Sequence, residues 1–130
     1  MHTETTRLSP SRVYPPHEPS MADHLDALTE SMRRDGWQGR PILAFCGGEG
    51  DSIRALTGSH RIAAARAAGL DAIPVLVLSL DTDEDVSLHD ELDDSLRGRG
   101  RCLTAMSVTL READTEVPAD VLALADAEEA

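Results

Sequence analysis

Gly58, Ser59, His60 and Arg61 are consecutive, between the short segment Ile53-Arg54-Ala55-Leu56 and an alanine-rich segment that ends at Gly69. This order predicts a strand, a tight turn and a helix over residues 59–68, with Gly58 permitting the turn, Ser59 as N-cap and Gly69 as the stop. A helix start directs its first N–H groups outward at the positive end of the helix dipole, so it attracts anions. Arg61 adds a fixed cation with a fork of donors, and phosphate is the natural guest. The plainer expectation is that Gly58 and Ser59 merely make a good turn and cap, with His60 and Arg61 solvated.

Other residue types narrow the chemistry. The twelve basic residues are all arginine. The absence of lysine excludes a Walker-type phosphate lysine, a Schiff base and a lysine general base. Cys46 and Cys102 belong to no CxxC or Cys/His pattern, and His2, His17, His24, His60 and His89 show no ligand spacing, so no structural metal is expected. Magnesium brought in by a nucleotide would be held mainly by phosphate oxygens and water. Trp37, the single tryptophan, is expected to close the core edge, and the Gln38, Gly39, Arg40 loop beside it could approach a base or substrate. Arg54 and Arg66 read as surface cations, Arg66 lying too far along the helix to share a phosphate with Arg61.

The elements that must position these groups follow from the punctuation of the chain. Residues 1–12 are polar and expected to be a mobile arm, and the prolines at 15, 16 and 19 keep the next stretch extended. Ser20 with Asp23 forms a carboxylate variant of the capping box, and Leu25, Leu28 and Met32 share one face of a helix that Gly36 ends. Residues 41–45 make a strand, 47–51 a hairpin-like loop and 53–56 a second strand. Residues 73–80 form a continuous apolar strand of the type buried on both faces. Further on, 83–96 reads as an amphipathic helix, 97–101 as a glycine-arginine turn, 103–110 as ambiguous between helix and strand, and 118–127 as a last helix with Val121, Leu122 and Leu124 apolar.

At 130 residues the chain suits one domain with an extension, and its formal charge is −12. Eight arginines face nine acids in residues 1–80, whereas four face fifteen in residues 81–130. DNA affinity rests on cations that displace counterions, so stand-alone DNA binding is not expected; a basic protein partner or self-association through the acidic region is. The longest apolar run, 73–80, is too short to span a bilayer, and with no secretory signature the expected location is the cytoplasm. Arginine-only, alanine-rich composition suggests a bacterial or phage genome.

The order Val13, Pro16-His17-Glu18, a capped helix, Gly36, Pro41-Ile42, a loop, a strand, Gly58-Ser59-His60-Arg61 and Gly69 followed by Ile73-Pro74-Val75 resembles the ParB/sulfiredoxin superfamily. The resemblance covers residues 12–80. It implies a compact α/β fold with a short mixed sheet and flanking helices, to which the residue pattern beyond 80 adds an acidic helical C-terminal extension. The expected organisation is a flexible arm over 1–12, a nucleotide-binding domain over 13–80 and the acidic extension over 81–130.

In this superfamily the Gly-x-x-Arg or Gly-x-His-Arg turn holds nucleotide phosphates, which places Gly58, Ser59, His60 and Arg61 in the binding site. Sulfiredoxins resemble Gly-Cys-His-Arg here, and Ser59 supplies no comparable nucleophile for sulfinic acid repair. The free-serine kinase branch carries a Pro-x-Glu or Pro-His-Glu segment and an Asp-Gly-His-His-Arg turn. Glu18 matches its proton-abstracting carboxylate, while Thr57 and Ser59 replace the aspartate and the first histidine. The partition proteins hold CTP on a Gly-Glu-Arg-Arg-like turn, and the short acidic stretch C-terminal to the turn here does not look like their DNA-reading domain. The resemblance therefore implies binding of a nucleoside triphosphate, ATP or CTP with or without Mg2+, and an NTPase or small-molecule kinase with Glu18 as general base and His60 as a second catalytic group. The competing expectation is a non-catalytic interaction or regulatory module on the same fold.

Overall fold

The computed structural model describes residues 2–15, 22–37, 39–47, 52–80, 86–96, 110–111 and 117–129. Among the described residues five strands, β1 (His2–Leu8), β2 (Val13–Tyr14), β3 (Ile42–Cys46), β4 (Ile53–Ala55) and β5 (Ile73–Ser79), form one mixed sheet in the order β1-β5-β3-β4-β2. β5 runs parallel to β3 and antiparallel to β1; β4 runs antiparallel to β3 and parallel to β2. Among the described residues, the helices with defined bounds are α1 (Ala22–Asp35), α2 (Ser59–Ala68), α3 (Val86–Leu96) and α4 (Ala119–Glu129).

Strand alternation splits the core in two. Ile42 and Ala44 of β3, with Ile73, Val75 and Val77 of β5, pack with Met32 of α1 and with Ile62, Ala64 and Ala65 of α2. Leu43 and Phe45, with Leu76 and Leu78, pack on the other face with Leu88 and Leu92 of α3 and Val121 and Ala125 of α4. A strand covered on both sides needs apolar residues at successive positions, which is why β3 and β5 read as unbroken apolar runs. Pro74 is tolerated in β5 because the β3 register begins one residue later, at Ile42 opposite Val75, so its missing N–H removes no bond on that side.

The expected mobile arm over residues 1–12 is corrected. His2–Leu8 pairs along its whole length with β5, and a 3-10 turn over Pro10–Arg12 leads into β2. β1 holds by its backbone ladder, with threonines and charges on an edge position, so a reading based on hydrophobicity passes over it. Arg54 and Arg66 are corrected as well, since neither is a simple surface cation. Arg66 donates from Nε to the Pro10 carbonyl at 3.0 Å and from Nη2 to the Val13 carbonyl at 2.8 Å, which ties α2 to the start of β2. Arg54 pairs with Asp93 of α3 and lies over the Phe45 ring, 5.4 Å from its centroid. His89 meets the same ring edge-on at 5.4 Å. Glu18, Ser20, Cys102 and the segments 97–101 and 103–109 lie outside the described residues. Among the described residues no helix is long and apolar enough to cross a membrane.

Candidate nucleotide-binding turn

The connection from β4 to α2 forms as the sequence predicts, with one change in the cap. Gly58, not Ser59, is the N-cap; it has φ 86°, in the left-handed region, and no side-chain capping bond. Two constraints select glycine there. A side chain at that φ is strained, and a Cβ would sit 2.5 Å from Ile42 Cδ1, inside the core contact between β3 and α2. Ser59 is the first helical residue and only 3% exposed, so its hydroxyl is folded into the turn. The helix ladder starts with Ile62 N–H donating to the Gly58 carbonyl at 2.9 Å, and the N–H groups of the preceding first turn point out of the helix end. Gly69 stops the helix in the left-handed region at φ 76°, with Leu70 N–H donating to the Ala65 carbonyl at 3.1 Å.

Arg61 is half-buried and faces the loop after α1. Its Nη1 donates to the Arg40 carbonyl at 2.5 Å, and its guanidinium carbon lies 5.1 Å from the centroid of the Trp37 ring. Loss of hydration, then repulsion from Arg40, lowers the Arg61 pKa to about 10, so it stays a cation at neutral pH. The Arg40 cation is thus near enough to Arg61 for the two to repel. Beside them, Trp37 Nε1 and Thr57 Oγ1 are enclosed and find no hydrogen-bond partner among the described residues. Buried polar atoms without a partner are exceptions in folded proteins. Cationic side chains beside the start of a helix fit the phosphate part of a nucleotide.

Of the expected site residues, the structure brings Gly58, Ser59, His60 and Arg61 together in one turn of α2. Glu18 is outside the described residues. Trp37 packs on the core beside α1 and α2, as expected for a core edge, and also contacts Arg61. The Arg40 carbonyl is the partner that sequence reasoning missed: a main-chain acceptor carries no residue-type signal. Cys46 lies at the far end of β3, four residues or about 13 Å along the strand from Ile42, which touches the turn. Its Sγ is 3.7 Å from Ser79 Oγ. Among the described residues no three His, Cys, Asp or Glu side chains converge as a metal site. An open depression of about 300 Å³ lined by Ser11, Arg12, Tyr14 and Ser52 lies along β2, and no residue of the turn lines it.

The ParB N-terminal domain family matches residues 2–96, from β1 through α3. The chain belongs to the ParB N-terminal domain family. Solved structures share this ParB-type fold. The C-terminally truncated chromosome-partitioning protein ParB from Caulobacter crescentus, complexed with CTP-gamma-S, is 20% identical over 83% of this chain and 59% of its own, with a TM-score of 0.51. A sulfiredoxin from Arabidopsis thaliana is 20% identical over 60% of this chain and 88% of its own, at a TM-score of 0.50. A conserved hypothetical protein from Pyrococcus furiosus is 22% identical over 62% of this chain and 34% of its own, also at 0.50. The chain therefore spans less than two thirds of the length of the Caulobacter and Pyrococcus proteins. Among curated proteins no relative matches.

Proposed function

We propose that this ParB-type domain binds a nucleoside triphosphate, CTP or ATP, with its phosphates against Gly58, Ser59, His60 and Arg61. The observation that carries the reading is the placement of Arg61 at the glycine-capped start of α2, with Arg40 close enough to depress its pKa. Two cations that repel one another beside a helix N-terminus lower their joint energy when a polyanion sits between them. The CTP analogue in the Caulobacter ParB makes CTP the first ligand to test. Phosphoryl transfer or hydrolysis is the reaction proposed for the site. His60 orients or protonates a phosphate oxygen, and Glu18 removes a proton from the attacking water or substrate hydroxyl. Mg2+, when it accompanies the nucleotide, neutralises phosphate charge.

Calorimetry with CTP, ATP and GTP, alongside phosphate release with and without free serine as acceptor, tests this function. The expected result is binding of at least one nucleotide by the native chain and none by Arg61→Ala, while Glu18→Gln binds normally but does not turn over. Unchanged affinity in Arg61→Ala removes that residue from the site. An unchanged rate in Glu18→Gln returns Glu18 to the scaffold. A second reading, a non-catalytic module that engages a partner or another copy through residues 81–130, is favoured by one observation: Arg61 is already engaged with the protein's own Arg40 carbonyl and Trp37 ring. Absence of binding by all three nucleotides supports that reading instead.

A further inference from the structure

The contacts of Arg61 constrain how an anion enters. One donor edge of its guanidinium is given to a neutral main-chain carbonyl, Arg40, at 2.5 Å, and one face to the Trp37 ring at 5.1 Å. Nη2 is enclosed. The backbone of two glycines bounds the group on other sides, since a Cβ at Gly39 would lie 3.7 Å from Nη1 and one at Gly58 3.7 Å from Nη2. This pose turns the forked edge toward protein atoms. A phosphate at the start of α2 must draw that edge away, and two charged oxygens are stronger acceptors for a guanidinium than one neutral carbonyl.

We infer that Trp37 and the Arg40 carbonyl form a latch that holds Arg61 until an anion displaces it, so the loop after α1 and the ligand compete for one guanidinium. The inference rests on the proposed nucleotide reading and adds its regulation: affinity is set partly by how strongly the loop holds the arginine. Trp37 is the single tryptophan of the chain, so the latch carries its own optical reporter. A cation leaving the face of an indole changes the environment of its excited state.

The experiment is tryptophan emission of the full chain, excited at the red edge of the indole band where nucleotide bases do not absorb, during titration with CTP, ATP and GTP. Calorimetry runs in parallel. The expected emission change saturates with the calorimetric isotherm, and the unliganded Arg61→Ala protein is already shifted in the same direction. Trp37→Leu keeps apolar volume but loses the ring face, and binds the nucleotide roughly two- to fivefold more tightly, the size of a partly exposed cation–π contact. Trp37→Phe falls between. Heat without any emission change, or weaker binding by Trp37→Leu, overturns the latch and leaves nucleotide binding standing. Absence of heat with all three nucleotides overturns the binding reading and the latch with it. If Trp37→Leu does not fold, the native titration and Arg61→Ala decide alone.

Discussion

At Gly58 two demands meet in one residue: a backbone in the left-handed region and a close approach to Ile42. Gly36, which ends α1 at φ 80°, shares the first demand but has open space where a Cβ would go. The pair therefore separates backbone strain from steric conflict. Gly36→Ala is expected to cost about 1 kcal/mol, the left-handed penalty alone. Gly58→Ala adds overpacking against Ile42 and is expected to cost about 2–4 kcal/mol. Urea unfolding of the two variants measures the difference; equal losses would mean that β3 and α2 separate freely. Gly58, Arg61 and their strand-turn-helix setting were legible because glycine and arginine announce themselves by type. That Gly58 is the cap, and Ser59 buried behind it, was not legible: serine is the better cap by propensity, and the left-handed backbone at 58 and its contact with Ile42 emerge only in the folded chain.

At the scale of elements, α2 is both the carrier of the phosphate turn and a brace for the opposite edge of the sheet. Arg66 sits beyond the reach of the turn, yet its bonds to Pro10 and Val13 hold a two-residue edge strand whose ladder with β4 is equally short. Arg66→Ala is expected to lose about 1–3 kcal/mol of stability through these two charge-assisted bonds to carbonyls. Amide hydrogen exchange should rise first at residues 10–14, and protection unchanged there would show that the β4 ladder alone suffices. The sequence pattern placed α2, β3 and β5 almost to the residue, through a glycine turn and stop for the helix and unbroken apolar runs for the strands. It passed over β1, whose threonines and charges are held by backbone bonds, and it took Arg54 and Arg66 for solvated groups. An arginine that reaches carbonyls or a ring on another element leaves no local signature.

Across the whole molecule, the helices of the acidic region are more than a charged tail. Leu88 and Leu92 of α3 and Val121 and Ala125 of α4 close the core face that Leu43, Phe45, Leu76 and Leu78 present. Among the acids outside that layer, Asp126 is paired: Arg111 donates from Nη1 and Nη2 to its two oxygens at 2.7 Å each. The hydrogen bonds from Arg111 hold the Asp126 carboxyl below its ordinary value, and the same contact raises the arginine. A carboxyl depressed in the folded state contributes stability above its unfolded pKa, and that contribution is lost as pH falls through the folded value. Asp126→Asn should therefore melt below the native chain at neutral pH, with the gap closing as pH falls to about 4 and below. A gap that persists in strong acid would assign the effect to packing of α4. The pair is half-exposed, so the neutral-pH difference should also shrink with added salt.

By itself the sequence determined the mixed α/β class, the two-sided burial of β5, the helix that begins after Gly58 and the residue types gathered at its start, because each rests on a local residue pattern or on the conformational preference of a single residue. The tertiary structure decided that residues 2–8 complete the sheet, that Arg66 braces β2, and that Arg61 rests on Trp37 and the Arg40 carbonyl. These depend on which distant backbone and side-chain groups meet once the layers pack, and a main-chain carbonyl or an edge ladder accepts its partner whatever the residue that carries it.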